Sequence, residues 1–419
     1  MSVAPWPRLG WRNLDRNPKR TVLTALGMAV GFFACVFIVG WSQGITNELV
    51  ESATSLVNGQ IEIHDEGFRP DRSLYDTIGG REGTDVEALL KVIDADPSVV
   101  AAAPRVYAGG LISSGNSTLA GMFMGIDLAR ELDLTRFLDQ LVEGRLPIAG
   151  QNEILVGKEM ARQLSAGLDD ELVVVGSGAD GSMANDLYTL VGVFRTGLPD
   201  LDAAFVVMPI DVLQTLVVLP ANRIHEIVVS TIDPFVAEAT AARLVDVLPS
   251  AAFALEVIPW MALNPALAEY VATADAMYGI ILAIVFGIAI FGVANSMLMA
   301  TFERRREFAV MLALGATPRA VWAVVLSEAL AIGVVSLVLG AVVTLPLMVW
   351  FHNAPPDMSW LYNDLTLSGA LLRPSLRVEY DVPFWIATAV ALLVTVLLAG
   401  LYPAIRAGRT PPADTLSGL

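Results

Sequence analysis

One cysteine in 419 residues rules out an intrachain disulfide, and that residue, Cys35, lies inside an apolar run. Any soluble domain of this chain is therefore held by its own core rather than by cross-links. Charge is scarce as well: Asp, Glu, Lys and Arg make up 16% of the chain against 55% hydrophobic residues. That profile belongs to a membrane protein with a soluble part rather than to an ordinary globular chain. Only three histidines occur, His64, His225 and His352, far apart and without ligand-spaced neighbours. Solvated or strand-edge positions are expected for them, and no metal centre. A G-x-x-x-x-G-K-[ST] segment is missing, which excludes ATP binding by a P-loop. There is no Ser-His-Asp or Cys-His signature, and paired acids such as Asp169 and Asp170 read as solvated loop charge. The run Gly176-Ser177-Gly178-Ala179-Asp180-Gly181 has the G-x-G-x-x-G form, but a second strand pattern follows it where a dinucleotide site needs a helix. It reads as a hairpin turn.

Long apolar runs are abundant. Residues 22–41, 278–300, 320–351 and 384–402 each suffice for a hydrocarbon core that needs ~20 residues. The first run is too long for a signal-peptide core of ~7–15 residues and has no A-x-A-like cleavage site after it, so it is expected to be a retained span. Basic residues fix the orientation. Arg8, Arg12, Arg16, Lys19 and Arg20 precede span one; Arg304, Arg305, Arg306 and Arg319 lie between spans two and three; Arg406 and Arg409 follow span four. Four spans put all three groups on one side, which makes that side cytoplasmic. Residues 44–275 carry 34 acids and 13 bases, a net −21, while the remainder is +4. The acidic domain is thus external, and an interaction with nucleic acid is excluded.

The expected fold class is a membrane α-helical protein with four transmembrane helices and a large α+β extracytoplasmic domain inserted between helices 1 and 2. Its parts are a cytoplasmic segment (1–21), helix 1 (22–41), the external domain (42–275) and helix 2 (276–301). A cytoplasmic corner (302–319), helix 3 (320–351), a short outer loop (352–383), helix 4 (384–402) and a cytoplasmic tail (403–419) complete it. Strand patterns crowd the middle of the domain, which predicts an inserted strand-rich portion at about 111–194 within a portion built from both flanks. Helical spacing of Ile45, Leu49, Ala53 and Leu56 after span one predicts a stalk. A second stalk, capped by Asn264 and opened by Pro265, leads into span two with no breaker.

Glu328 is an acid within the third apolar run, where charge is costly. That run spans about 48 Å as a helix at ~1.5 Å per residue, more than a core of ~30 Å. Glu328 is therefore expected near the inner interface, in an interfacial or helix-pairing role. The stretch Glu303, Arg304, Arg305, Arg306, Glu307 reads as a topological anchor or a lipid-headgroup patch, and Phe308, Met311, Leu312 and Gly315 continue it at helical spacing. A short amphipathic helix along the membrane face is predicted, ended by Gly315, with Thr317 and Pro318 starting the next helix.

"ERRREFAVMLALGATPRAVWAVVLSEAL", "WRNLDRNPKRTVLTALGMAVG" and "YPAIRAGRTPPADTL" resemble the membrane segments of the FtsX/MacB/LolC-LolE superfamily of ABC transporter permeases. "GQIEIHDEGF", "NEILVGKEMARQL" and "LVGVFRTG" resemble the superfamily's periplasmic domain, the first leaning toward the lipoprotein-release branch. The resemblance implies a non-catalytic bacterial inner-membrane subunit whose periplasmic domain has porter and sabre subdomains. It binds no cofactor itself; ATP and Mg belong to a cytoplasmic ABC ATPase present in two copies. A second permease protomer (in a homo- or heterodimer), membrane lipid, and a periplasmic chaperone or adaptor are the other implied partners. ATPase coupling would fall on Glu303, Arg304, Arg305, Arg306, Glu307, Phe308, Met311, Leu312 and Gly315. Acyl chains would be held between spans one and two of facing protomers, lined by residues such as Phe32, Phe33, Ile284 and Ile288. Relatives work by mechanotransmission, and lipoprotein release is the favoured instance. The alternatives are an FtsX-like regulator of a cell-wall hydrolase and a MacB-like efflux permease.

Overall fold

The computed structural model describes residues 18–69, 72–80, 85–115, 117–248, 255–360, 365–367, 370–372 and 375–417; Arg8, Arg12 and Arg16 lie outside them. It divides into two compact units. One comprises Met1–Thr46, Val271–Leu361 and Ser375–Leu419, and the other Asn47–Tyr270 and Tyr362–Pro374.

The first unit is helical. Helix α1 (Pro18–Ala53) is unbroken past the end of its apolar run and closes in a π-turn over Thr54–Asn58. Such length without a breaker follows from the absence of proline after Pro18 and from a stalk that keeps helical spacing. Among the described residues, four helices are long and apolar enough to cross a membrane. The bundle core gathers Phe32, Cys35 and Val36 of the first with Val321, Val325, Ala329, Leu392 and Val396 of the others. Small residues allow close approach. A Cβ on Gly340 would stand 3.0 Å from the Phe32 ring, and one on Gly44 would run into the carbonyl oxygen of Arg377. At this end the segment before the last long helix lies against α1: Glu379 N–H donates to Gly40 O at 2.9 Å, and the Gln43 amide donates to Asp381 at 2.8 Å.

The second unit is a mixed sheet with helices. In chain order it contains β1 (Ile61–Asp65), α2 (Val86–Asp94), β2 (Val99–Ser113), β3 (Thr118–Ile126), α3 (Leu128–Leu134), β4 (Leu141–Gly144), β5 (Glu153–Gly157) and α4 (Lys158–Leu164). Next come β6 (Glu171–Ser177), β7 (Met183–Phe194), α5 (Pro199–Ala204), β8 (Phe205–Pro209), α6 (Ile210–Leu216), β9 (Glu226–Thr231), α7 (Ala237–Val247), β10 (Leu255–Pro259) and α8 (Trp260–Leu263). The strands order as β10-β1-β9-β2-β3-β8-β5-β7-β4, with β6 pairing β2 and β7. β3–β8 and β5–β7 are parallel, the other pairs antiparallel. The glycine-rich motif is indeed a hairpin: Ser177 faces Met183, Gly178 N–H donates to Ser182 O at 2.9 Å, and Gly181 has φ +82°.

Flanks and middle share one sheet and one core. β2 pairs with β9 over its first half and with β3 and β6 over its second. Phe68 and Tyr107 pack with Leu155, Val191, Phe194, Phe205 and Val207. Alternation along a strand reveals which face is buried but not which neighbour it pairs with. The histidine expectation is corrected here. His64 is buried on β1, which has a partner on both sides, and His225 is buried next to β9. Backbone pairing of both flanking strands draws these rings inside.

The remaining elements return to the helical unit, apart from a small hairpin. Helix α9 (Pro265–Glu303) is again unbroken, and Asn264 caps it by accepting from Leu267 N–H at 3.1 Å. A nine-residue helix α10 (Arg305–Ala313) leads to α11 (Pro318–Asn353). Strands β11 (Leu365–Leu367) and β12 (Ala370–Leu372) pair antiparallel between α11 and α12 (Val382–Gly408). The chain closes on α13 (Pro412–Ser417), which packs beside α10.

Candidate coupling surface

The corner between α9 and α11 is built from residue preferences. Arg304 leaves the helical run at φ −99° and ψ 12°, and α10 starts at the next residue. Gly315 ends it in the left-handed region at φ +91°. Gly315 N–H donates to Leu312 O at 3.1 Å and Ala316 N–H to Met311 O at 3.0 Å, the paired bonds of a Schellman closure. Thr317 then caps α11 by accepting from Ala320 N–H at 3.3 Å, with Pro318 at the first helical position.

Of the three consecutive arginines, one turns inward. Arg304 donates to Glu328 at 2.6 Å and to Glu307 at 3.0 Å, and its guanidinium lies 5.2 Å from the centre of the Phe308 ring. Glu328 thus pairs helix α11 to the corner. Glu303, Arg305 and Arg306 are exposed.

The apolar residues divide differently from the sequence expectation. Phe308 is 1% exposed and belongs to the bundle core with Met297, Val321 and Val325, and Met311 and Leu312 pack against that same cluster. The ridge expected to meet a partner is the face that holds α10 to its own bundle. The outward face is Arg306, Val310 and Leu314, at i, i+4 and i+8; Val310 is 43% and Leu314 83% exposed. Their helical spacing with Arg306 was visible in the sequence, but hydrophobicity alone does not say which of two apolar stripes faces the core.

The lining expected for acyl chains lies between facing protomers; within one protomer its four residues are carried by α1 and α9. Phe32 is enclosed against α11 at Gly340. Phe33 stacks on Phe37 with centroids 5.4 Å apart. Ile284 and Ile288 project outward from α9, in a stripe with Ile280 and Phe291. A contact with Phe32 would require α1 and α11 to separate, since close packing leaves no gap there.

The sheet domain holds a buried ionic cluster that no local pattern announces. Arg105 on β2 is enclosed and donates to Glu131 of α3 at 2.5 Å; its other end lies 3.9 Å from Glu226 of β9. Tyr107 O–H donates to Glu226 at 2.6 Å, while its backbone N–H donates to His225 Nδ1 at 2.9 Å. The other ring nitrogen of His225 faces Leu74 O at 3.2 Å, so the proton sits on Nε2 and burial holds the ring neutral by lowering its pKa. Glu62 of β1 pairs with Arg69. Burial first, and the Glu226 carboxylate second, push Glu62 up to about 7, against the pull of Arg69 and Arg72. No group of three or more His, Cys, Asp or Glu side chains suited to a metal occurs among the described residues.

Long apolar helices flanking a mixed-sheet domain, with a helical corner between the second and third, define a multi-span membrane protein with a large domain outside the bilayer. Residues 21–247 match the MacB-like periplasmic core domain, and residues 279–412 the FtsX-like permease C-terminal domain. The chain belongs to this FtsX/MacB family of ABC transporter permeases. It is similar to the lipoprotein-releasing system transmembrane protein LolC of Neisseria meningitidis serogroup B, 25% identical over 402 residues that cover 92% of this chain and 94% of that protein. It is also similar to LolE of the same system in Haemophilus influenzae, 22% identical with 97% of both chains covered. The periplasmic region of MacB from Actinobacillus actinomycetemcomitans aligns at 14% identity and TM-score 0.35, covering 52% of this chain and 94% of that one.

Proposed function

We propose that this chain is the permease subunit of a mechanotransmission-type ABC transporter in a bacterial inner membrane, with both termini and α10 cytoplasmic and the acidic domain periplasmic. The observation that carries the reading is α10, a rigidly closed helix between two spans that turns Arg306, Val310 and Leu314 outward. A separate cytoplasmic ATPase, in two copies and holding the ATP and Mg, would dock there. The permease itself is not a catalyst. Its stroke would pass along α1 and α9, which continue beyond their apolar runs without a break.

Lipoprotein release is the instance best supported, because the two relatives named above belong to a lipoprotein-releasing system and are matched over nearly their whole length. In this reading two permease protomers face one another, alike or different, and lipid-anchored cargo is drawn from the outer leaflet and passed to a periplasmic acceptor. Ile280, Ile284, Ile288 and Phe291 on α9 provide the apolar stripe for the acyl chains or the second protomer.

The test is co-purification with the ATPase. Val310→Glu together with Leu314→Glu should abolish co-purification and cargo-stimulated ATP hydrolysis while the permease still inserts in the membrane. Normal hydrolysis in that variant would refute the docking face. If hydrolysis responds to a cell-wall hydrolase or a soluble peptide rather than to a triacylated lipoprotein, the regulator or efflux alternative stands instead.

A further inference from the structure

A concave site at the end of the helical bundle lies outside the docking face of Arg306, Val310 and Leu314, although it takes in Arg305, which the resemblance placed among the coupling residues. About 350 Å³ is enclosed by Thr301 and Phe302 of α9, Arg305 of α10, Tyr402 and Arg406 of α12, and Arg409 just after it. Three arginines from two separate segments line it, and among the described residues no carboxylate does. Arg406 is held in place: it donates to the Tyr402 hydroxyl at 3.2 Å, and its guanidinium lies 4.8 Å from the centre of the Phe302 ring. Arg406 and Arg409 would offset the negative carbonyl end of α12 by themselves. That role does not account for Arg305, which arrives from the start of a different helix. Three arginines lining a pocket of this size suit a tetrahedral oxyanion, for which arginine is the favoured ligand.

The surroundings choose the source of the phosphate. Phe302, Tyr402 and Ile405 line the pocket itself. One turn deeper into the apolar runs, Met299 on α9 and Leu398 and Leu401 on α12 are exposed. The site is therefore polar at its mouth and continues into lipid-facing surface, as a phospholipid is. We propose that this pocket binds the phosphate of an anionic phospholipid through Arg305, Arg406 and Arg409, with the acyl chains against the outer surfaces of α9 and α12. Basic pockets between spans at a cytoplasmic face are suited to such headgroups. The assignment requires only that the four helices cross a bilayer.

Native mass spectrometry of the full chain in detergent tests it, with phosphatidylglycerol, phosphatidylcholine and inorganic phosphate as probes. Phosphatidylglycerol should be retained over phosphatidylcholine, and inorganic phosphate at the same concentration should not displace it. Arg406→Gln with Arg409→Gln should lower phosphatidylglycerol occupancy roughly tenfold. Arg305→Gln with Arg409→Gln, which leaves the Arg406 packing intact, should do the same, and Arg319→Gln should change nothing. Equal retention of the two lipids, or wild-type occupancy in both double variants, overturns the proposal. Displacement by inorganic phosphate would make it a soluble-phosphate site. Variants that keep the lipid but lose the ATPase would make it a protein dock; either result overturns the lipid assignment. Val310 and Leu314 lie outside this lining, so the docking face and the lipid site can fail separately.

Discussion

Both units of this protein rely on an arginine paired with a glutamate, but the pairs are sheltered differently. Arg105 and Glu131 meet inside the sheet domain with both side chains enclosed, and Tyr107 and Glu226 complete their surroundings. Arg304 and Glu328 meet at the end of the helical bundle, where both retain some contact with solvent. A fully enclosed ion gains much from its partner only because losing that partner leaves a bare charge in a low-dielectric interior. A pair at an edge can be opened at modest cost. The first pair locks α3 to the sheet, and the second is placed where a helix corner can be moved.

Breaking the enclosed pair should have the largest effect. Glu131→Ala removes the carboxylate that accepts from the enclosed Arg105 at 2.5 Å, and denaturant unfolding of the full chain in detergent should show a loss of about 3–5 kcal/mol. A loss near that of an ordinary surface substitution would collapse the contrast between the two units.

The pH dependence of the sheet domain comes next. Glu62 is raised to about 7 in the fold from an unfolded value near 4.5, so the folded state binds the extra proton between those limits. Stability should therefore fall as pH rises from about 4.5 to about 7, by on the order of 3 kcal/mol, and stay low above that window. Glu62→Gln should flatten this part of the profile; an unchanged slope would assign it to other groups. At the edge pair, Glu328→Gln should cost only about 1–2 kcal/mol in unfolding. It should weaken ATPase co-purification more than its stability cost explains, since it releases Arg304 from α11. Intact co-purification would make Arg304–Glu328 a plain helix brace.

Much of the fold was legible from patterning. Apolar length marked the four spans, and strand patterns marked the middle of the external domain, because these signals are local. Asn264, Gly315, Thr317 and Pro318 announced helix ends for the same reason: each acts on backbone groups within a few residues of itself. The enclosed cluster of Glu62, Arg105, Tyr107, Glu131 and Glu226 had no such signature. Its members lie up to 164 positions apart and meet only through pairing of β1, β9 and β2 and the packing of α3 on β2. Phe32 shows the same limit, since Gly340, 308 positions away, is what encloses it.

Read alone, the chain determined that there are four spans, that the acidic domain lies between the first two, and that a charged corner joins the second to the third. Length, hydropathy and charge are sums over neighbours, and they survive without knowledge of packing. Only tertiary structure decided which side of that corner faces away. It turned Phe308, Met311 and Leu312 toward the bundle and left Arg306, Val310 and Leu314 outside. It also drew Arg305, Arg406 and Arg409 around one pocket. A short helix with apolar residues on two sides can satisfy either, and the surface offered by the neighbouring helices selects between them.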